Sequence, residues 1–125
     1  MSTSNDPLSP LQGDWAPTEA TLGGQPMPQS LLESMSLTID ETAYTVDLAG
    51  QIDRGTISLD DSVTPPRMRI ISEEGANAGS EFLAIYSFVG EVLTICYDLT
   101  GSAYPEGMVS PAGTQQFLVR YVHPE

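Results

Sequence analysis

The sequence contains no lysine, and its only side chains that are always cationic are four arginines, Arg54, Arg67, Arg69 and Arg120. Against these four stand 17 aspartates and glutamates, which give a formal net charge of −13 at pH 7. The absence of lysine excludes Schiff-base and P-loop lysine chemistry. Contacts with nucleic-acid phosphates or anionic lipid need a basic surface, so the charge argues against both partners.

Cysteine and histidine occur once each, as Cys96 and His123. A single cysteine excludes an internal disulfide and any multi-cysteine zinc site. Cys96 lies in the apolar run 93–97, which predicts a buried, unreactive thiol. His123 lies two residues from the end of the sequence, and one histidine is a weak indication of a metal or haem site. We therefore predict a protein that is not an enzyme and has no metal, no cofactor and no catalytic residue.

Long hydrophobic runs are also absent, because no stretch approaches the roughly 18 apolar residues of a membrane span. Residues 1–10 are polar and contain Pro7 and Pro10, and we interpret them as a flexible arm ahead of one domain at 11–125. The same ten residues have neither a basic start nor an apolar stretch, which predicts a cytoplasmic protein. No membrane span is expected.

What the sequence does contain is a pattern in which apolar residues recur at every second position. Between short turns, apolar and polar residues alternate in segments that read as strands, among them 37–39, 44–48, 57–59, 68–71, 82–88, 92–99 and 116–122. A first strand is expected between Gly13 and Leu22, although Pro17 weakens it. The one expected helix covers Gln29 to Met35. About eight closely spaced strands predict an all-β, antiparallel, up-and-down barrel with one short helix over an end.

One connection is longer than the others. Residues 98–114 hold three glycines and two prolines, and loops of this length are usually functional. Tyr104 and Met108 are apolar side chains that a purely solvated loop does not need. We predict that this loop covers the barrel mouth and that Tyr104 or Met108 contacts a ligand there. The alternative is that both residues only plug the barrel end.

Two sets of residues resemble known families. Gly13-x-Trp15 in the first strand with Arg120 in the last is similar to the lipocalin signature, in which a tryptophan closes the barrel bottom and an arginine stacks across it. A longer resemblance runs from Leu11 to about Tyr121 and points to the lipocalin-like small domain of unknown function that is abundant in planctomycetes. It is carried by the segments 11–15, 24–28, 37–39, 44–46, 55–57, 83–86 and 93–97.

The resemblance implies a barrel but no site residues, because no activity or ligand is established for that family. Its members commonly follow a secretion signal and are rich in lysine, and this sequence shows neither feature. From the first resemblance we expect Trp15 and Arg120 to form a structural pair at the barrel bottom.

The candidate ligand-binding residues are aromatic side chains on predicted strands together with one arginine and the loop residues. They are Tyr44, Arg54, Tyr86, Tyr97, Tyr104 and Met108. The alternative for the tyrosines is that they fill the interior of a small barrel, which is only just wide enough for one small ligand. Acidic pairs at 60–61 and 73–74 match no calcium motif and read as solvated surface.

The sequence thus predicts a lipocalin-like binding module for a small apolar or amphipathic ligand in the barrel mouth. The alternative is an acidic interaction or inhibitor domain that binds a basic protein. Excess acidic residues without lysine are also typical of adaptation to high salt.

Overall fold

The computed structural model describes residues 11–75, 78–101 and 103–123, and these residues form an antiparallel β-barrel. The predicted arm at 1–10 lies outside the described residues. The elements in chain order are β1 (Gly13–Leu22), β2 (Gln25–Pro26), α1 (Gln29–Glu33), β3 (Met35–Asp40), β4 (Ala43–Leu48), β5 (Gln51–Asp60), β6 (Arg67–Glu74), β7 (Glu81–Val89), β8 (Val92–Asp98) and β9 (Gln116–Val122).

Eight of these strands close the barrel, which confirms the predicted fold class. From β3 to β9 each strand pairs with the next one along the chain. The strand β1 joins the two ends: its first three residues pair with β3, and Ala16 to Leu22 pair with β9. The two-residue β2 folds back on the end of β1. Closure gives the backbone groups of β3 and β9 a partner in β1. In an open sheet these edge groups would stay unpaired.

Proline in the first strand is accommodated by a change of register. The pairing of β1 with β9 shifts between Pro17 and Glu19. Proline cannot donate a ladder hydrogen bond, and a bulge is one of the few strand positions that tolerates it. The strand therefore continues to Leu22, as expected.

Alternation along each strand separates a buried inner face from an exposed outer face. On β6 the side chains of Met68, Ile70 and Ser72 are buried, whereas those of Arg67 and Arg69 are exposed. The core formed by these inward residues runs the length of the barrel. Trp15, the third residue of β1, lies fully buried at one end of the barrel.

The helix is shorter than the sequence predicts. It ends at Glu33, and the backbone N–H of Ser34 donates to the carbonyl of Leu31. Met35, expected as its last apolar position, instead begins β3 and pairs with Leu48 of β4. A helix of five residues gains little from its own hydrogen bonds, so strand pairing determines where it stops.

The β4–β5 turn has a conformation that its first residue disfavours. Both turn residues have positive φ, 53° at Ala49 and 90° at Gly50, as a two-residue hairpin of the primed type requires.

Asparagine adopts this conformation at lower cost than alanine. We expect Ala49→Asn to stabilise the protein by about 0.5–1 kcal/mol, measured by urea unfolding. Ala43→Asn, at the exposed start of β4, serves as the control and should give no gain.

Candidate functional site

A cavity of about 200 Å³ occupies the end of the barrel opposite Trp15. Seven of the eight barrel strands contribute to its wall, mostly through inward-facing aliphatic and aromatic side chains. The lining residues are Met35, Leu37, Tyr44, Val46, Leu48, Gln51, Ile52, Asp53, Ile57, Met68, Ile70, Phe82, Ile95, Tyr97, Leu99, Phe117 and Tyr121. The cavity is therefore an apolar space with few polar groups.

The cavity reaches the surface at the β4–β5 hairpin. Leu48 and Ile52 line the cavity and yet expose 38% of their surface each, and Gln51 between them is exposed as well. At the inner end, Met68, Ile95 and Tyr121 line the cavity with at most 1% exposure. The space is thus a pocket with a mouth at this hairpin.

The cavity wall includes one carboxylate, that of Asp53, which two hydroxyl groups hold in place. The Ser72 hydroxyl donates to Asp53 Oδ1 at 2.7 Å, and the Tyr44 hydroxyl donates to Asp53 Oδ2 at 3.3 Å. Ser72 is 1% exposed and Tyr44 is 4% exposed, whereas Asp53 keeps intermediate exposure at the cavity wall. Both carboxylate oxygens are therefore oriented by the barrel.

A second polar contact joins two tyrosines across β8 and β9. The hydroxyl groups of Tyr97 and Tyr121 lie 2.9 Å apart and share a hydrogen bond. Burial raises the pKa of both phenols well above the usual range, because the charged form would lose its hydration. The ring of Tyr97 also stacks on Phe117, with 5.8 Å between the ring centroids. These tyrosines are protonated hydrogen-bonding groups at any physiological pH.

Alkaline pH should expose the cost of ionising these tyrosines. Burial, and secondarily the negative charge of Asp53, raises the pKa of Tyr44 to about 12. In the unfolded chain tyrosine loses its proton near pH 10, so the unfolded state binds fewer protons between about pH 10 and pH 12. The free energy of unfolding should therefore fall as the pH rises through this window.

Urea midpoints at pH 9, 10 and 11 would measure this fall, and Tyr44→Phe should make it smaller. The absence of lysine simplifies the interpretation, since no ammonium side chain titrates there. An equally steep fall in Tyr44→Phe would contradict the assignment to Tyr44.

Among the predicted ligand-binding residues, the structure brings Tyr44 and Tyr97 together in the cavity wall. Tyr86 also faces inward and is buried in the core, but it does not line this cavity. Arg54 is exposed on the outside of β5, where it pairs in register with Glu74. Arg54 therefore does not line this cavity, because the residues of β5 that face inward are its neighbours Asp53 and Gly55.

The long loop does not cover the mouth. Of its side chains in the described ranges 98–101 and 103–114, only Leu99 lines the cavity, and neither Tyr104 nor Met108 does. The carbonyl of Val109 accepts a hydrogen bond from the Cys96 thiol at 3.3 Å, on the outer face of β8. The guanidinium of Arg67, on the outer face of β6, lies 4.5 Å from the centre of the Tyr104 ring. The loop therefore folds back along the outer wall.

This position explains why Cys96 is buried although it faces out of the barrel. Cys96 and its cross-strand partner Ile85 are 0% and 1% exposed, and neither belongs to the interior core cluster. Burial raises the pKa of the Cys96 thiol. The loop thus covers a small apolar patch on the outside of the barrel. This position accounts for the apolar residues of the loop without a ligand.

Trp15 closes one end of the barrel, but Arg120 is not its partner. The Arg120 side chain is 55% exposed, and its Nη1 donates to the Glu19 carboxylate at 2.8 Å. The ring that stacks on Trp15 is that of His123, with 3.8 Å between centroids and an interplanar angle of 27°. Val119, Tyr121 and His123 share one face of β9 and its continuation, whereas Arg120 has the opposite parity.

His123 is oriented by the backbone of β1. Its Nδ1–H donates to the carbonyl oxygen of Asp14 at 2.8 Å, which requires the proton on that nitrogen. Trp15 Nε1 in turn donates to the carbonyl of Leu11 at 2.8 Å, and Phe88 meets the indole edge-on at 6.0 Å. The histidine therefore serves as part of the closed end, on the opposite side of the core from the cavity.

Sequence reasoning missed Asp53, which lines the cavity, and Ser72, whose hydroxyl group holds the Asp53 carboxylate. The signal was the alternation itself. Ile57 faces inward on β5, so Gly55 and Asp53 share its face, and Ser72 follows Met68 and Ile70 on β6. A carboxylate at an inward position is unexpected in a hydrophobic core, so inward parity at Asp53 is itself an indication of a site.

Within residues 11–75, 78–101 and 103–123, no three His, Cys, Asp or Glu side chains lie close enough together to hold a metal ion. No helix in the same ranges has the length and apolar character needed to span a bilayer. Comparisons of this chain with protein-family models, with curated proteins and with solved structures found no match. The functional interpretation therefore depends on the site alone.

Proposed function

We propose that this barrel is a non-catalytic binding module whose ligand is a small apolar or amphipathic molecule held in the cavity. The observation that carries the proposal is the apolar pocket that opens between Leu48 and Ile52. Concave, mostly apolar pockets with a few oriented polar groups are the usual form of small-molecule sites. Asp53 and the tyrosine hydroxyls supply those polar groups here.

The size of the cavity limits the ligand. A buried apolar cavity of about 150 Å³ accepts benzene, and the present space is about 200 Å³. A single ring with a short side chain fits this volume, whereas a long-chain lipid does not. The ligand class is therefore that of small aromatic or branched aliphatic molecules.

The positions of the reactive side chains favour binding over catalysis. His123 is stacked on Trp15 at the closed end, and Cys96 lies under the loop on the outer wall. The tyrosines that line the cavity have raised pKa values, so they do not act as bases near neutral pH. A binding role needs only the shape and the oriented groups already described.

Binding of 2-phenylethanol, followed by NMR titration of the labelled protein, tests this proposal. Shifts should concentrate on residues of the cavity wall. Val46→Phe fills the space, so it should abolish binding while preserving or raising the melting temperature. Val89→Phe is the matched control, because Val89 is 73% exposed. It lies at the end of β7, whereas Phe82 at the start of β7 lines the cavity. Equal binding by both variants would overturn the proposal.

A basic protein partner is the alternative that the net charge of −13 supports. Ionic strength separates the two functions. Association through a surface of carboxylates should weaken steeply as salt rises, whereas binding of a neutral ligand inside the cavity should not.

A further inference from the structure

The cavity contains one unexplained feature, a carboxylate in a mostly apolar wall. Asp53 lies opposite Val46 in the β4–β5 register, and both residues line the cavity. An ionised carboxylate in apolar surroundings is costly unless hydrogen bonds and an opposite charge compensate it. The hydroxyl groups of Ser72 and Tyr44 supply two of the roughly four hydrogen bonds that a carboxylate accepts.

The described part of the protein supplies no cation to this carboxylate. The ion pairs among residues 11–75, 78–101 and 103–123 are Arg69 with Glu81 and Arg120 with Glu19. Both arginines, and Arg67 as well, lie on outer faces of the barrel. Arg54 follows Asp53 directly in β5, so its side chain points to the opposite face of the sheet.

The aromatic side chains of the wall favour a cation as well. The same cavity as that of Asp53 is lined by Phe82, Phe117 and the three tyrosines Tyr44, Tyr97 and Tyr121. Aromatic faces attract ammonium groups, and the attraction grows when water is excluded. An anionic ligand would instead meet Asp53 and a chain of net charge −13. The electrostatics thus select against carboxylates and in favour of amines.

We propose that the cavity binds a small amine whose ammonium group pairs with Asp53 and whose apolar body occupies the space between β3 and β9. This inference rests on the proposed binding function and names its ligand class. The hydroxyl groups of Ser72 and Tyr44 act as positioning groups, since they hold the carboxylate toward the cavity. The cavity volume restricts the amine to about one ring with a short chain.

The experiment compares three probes of nearly equal shape on the full chain by NMR titration at one pH and salt concentration. They are 2-phenylethylamine, 2-phenylethanol and 3-phenylpropionate, which differ in the charge of the end group. We expect the amine to bind at least about tenfold more tightly than the alcohol, as for one charge-assisted hydrogen bond. The carboxylate should bind most weakly of the three.

Asp53→Asn removes the charge and keeps the shape, so it should reduce amine affinity at least about tenfold and alcohol affinity by a clearly smaller factor, because an amide can still hydrogen-bond a hydroxyl group. Asp61→Asn, an exposed residue outside the cavity, changes the net charge equally and should have no such effect. If Asp53→Asn does not fold, the three-probe comparison on the unmodified protein decides alone. Equal affinities for amine and alcohol would overturn the amine proposal but leave the binding function standing. Failure of all three probes to bind would overturn both.

Discussion

Replacing Gly55 with alanine is expected to destabilise the protein by about 3 kcal/mol or more, which lowers the melting temperature by roughly 10 °C. Gly55 faces inward on β5, between Tyr44 on β4 and Ser72 on β6. A methyl group there would overlap the carbonyl oxygen of Ile71 and would lie 2.9 Å from Tyr44 Cε2. The backbone oxygen cannot move without breaking the β5–β6 pairing. Displacement of Tyr44 should also weaken its hydrogen bond to Asp53.

Gly107→Ala is the matched control for this substitution. A methyl group at Gly107 would meet no atom within 4 Å, and its φ lies outside the positive range. We expect its free energy of unfolding to stay within about 0.5 kcal/mol of the original value. Thermal and urea unfolding of both variants give the comparison. A Gly55→Ala protein as stable as Gly107→Ala would show that the backbone around Gly55 and Ile71 accepts a methyl group without loss of the β5–β6 pairing.

The second large effect is expected at the closed end of the barrel. Trp15→Ala should cost about 3–5 kcal/mol, the usual range when a fully buried large side chain is truncated. Trp15 has 0% exposure, donates its indole N–H to Leu11 and lies between the rings of His123 and Phe88. None of these contacts survives in alanine. The measurement is the free energy of unfolding in urea.

Arg120→Ala provides the contrast. Its guanidinium is mostly exposed and pairs with the exposed carboxylate of Glu19, and such pairs contribute between zero and about 1 kcal/mol. We expect a change of less than about 1 kcal/mol. A loss as large as that of Trp15→Ala would restore the arginine–tryptophan pairing inferred from the sequence resemblance. His123→Ala should fall between the two, since one face of the indole would then be uncovered.

Much of the fold was predictable from residue pattern. The alternation at 44–48, 68–71 and 116–122 gave the right strands, and the turns at 41–42, 49–50 and 90–91 lie where the pattern placed them. Short connections imply neighbouring antiparallel strands, so the meander followed directly. The resemblance to the planctomycete domain stays a prediction. The end of α1 was less predictable, because pairing of Met35 with Leu48 is a long-range contact.

The candidate site was only half predictable. Tyr44 and Tyr97 have inward parity on strands whose other inward residues are plainly apolar, and both line the cavity. Arg54 and Arg120 were assigned by residue type although each has outward parity, and both point out of the barrel. Asp53 was overlooked by the same preference for residue type over parity.

By itself, the sequence determined which residues alternate, where the chain turns and which side chains share a face, because these are local properties of φ, ψ and a period of two. Only the tertiary structure decided that the long loop covers Ile85 and Cys96 rather than the mouth. It also decided that the interior keeps a space of about 200 Å³ beside Asp53 instead of being filled. The path of a loop and the volume left between eight strands depend on contacts between residues far apart in the chain, and no local pattern encodes them.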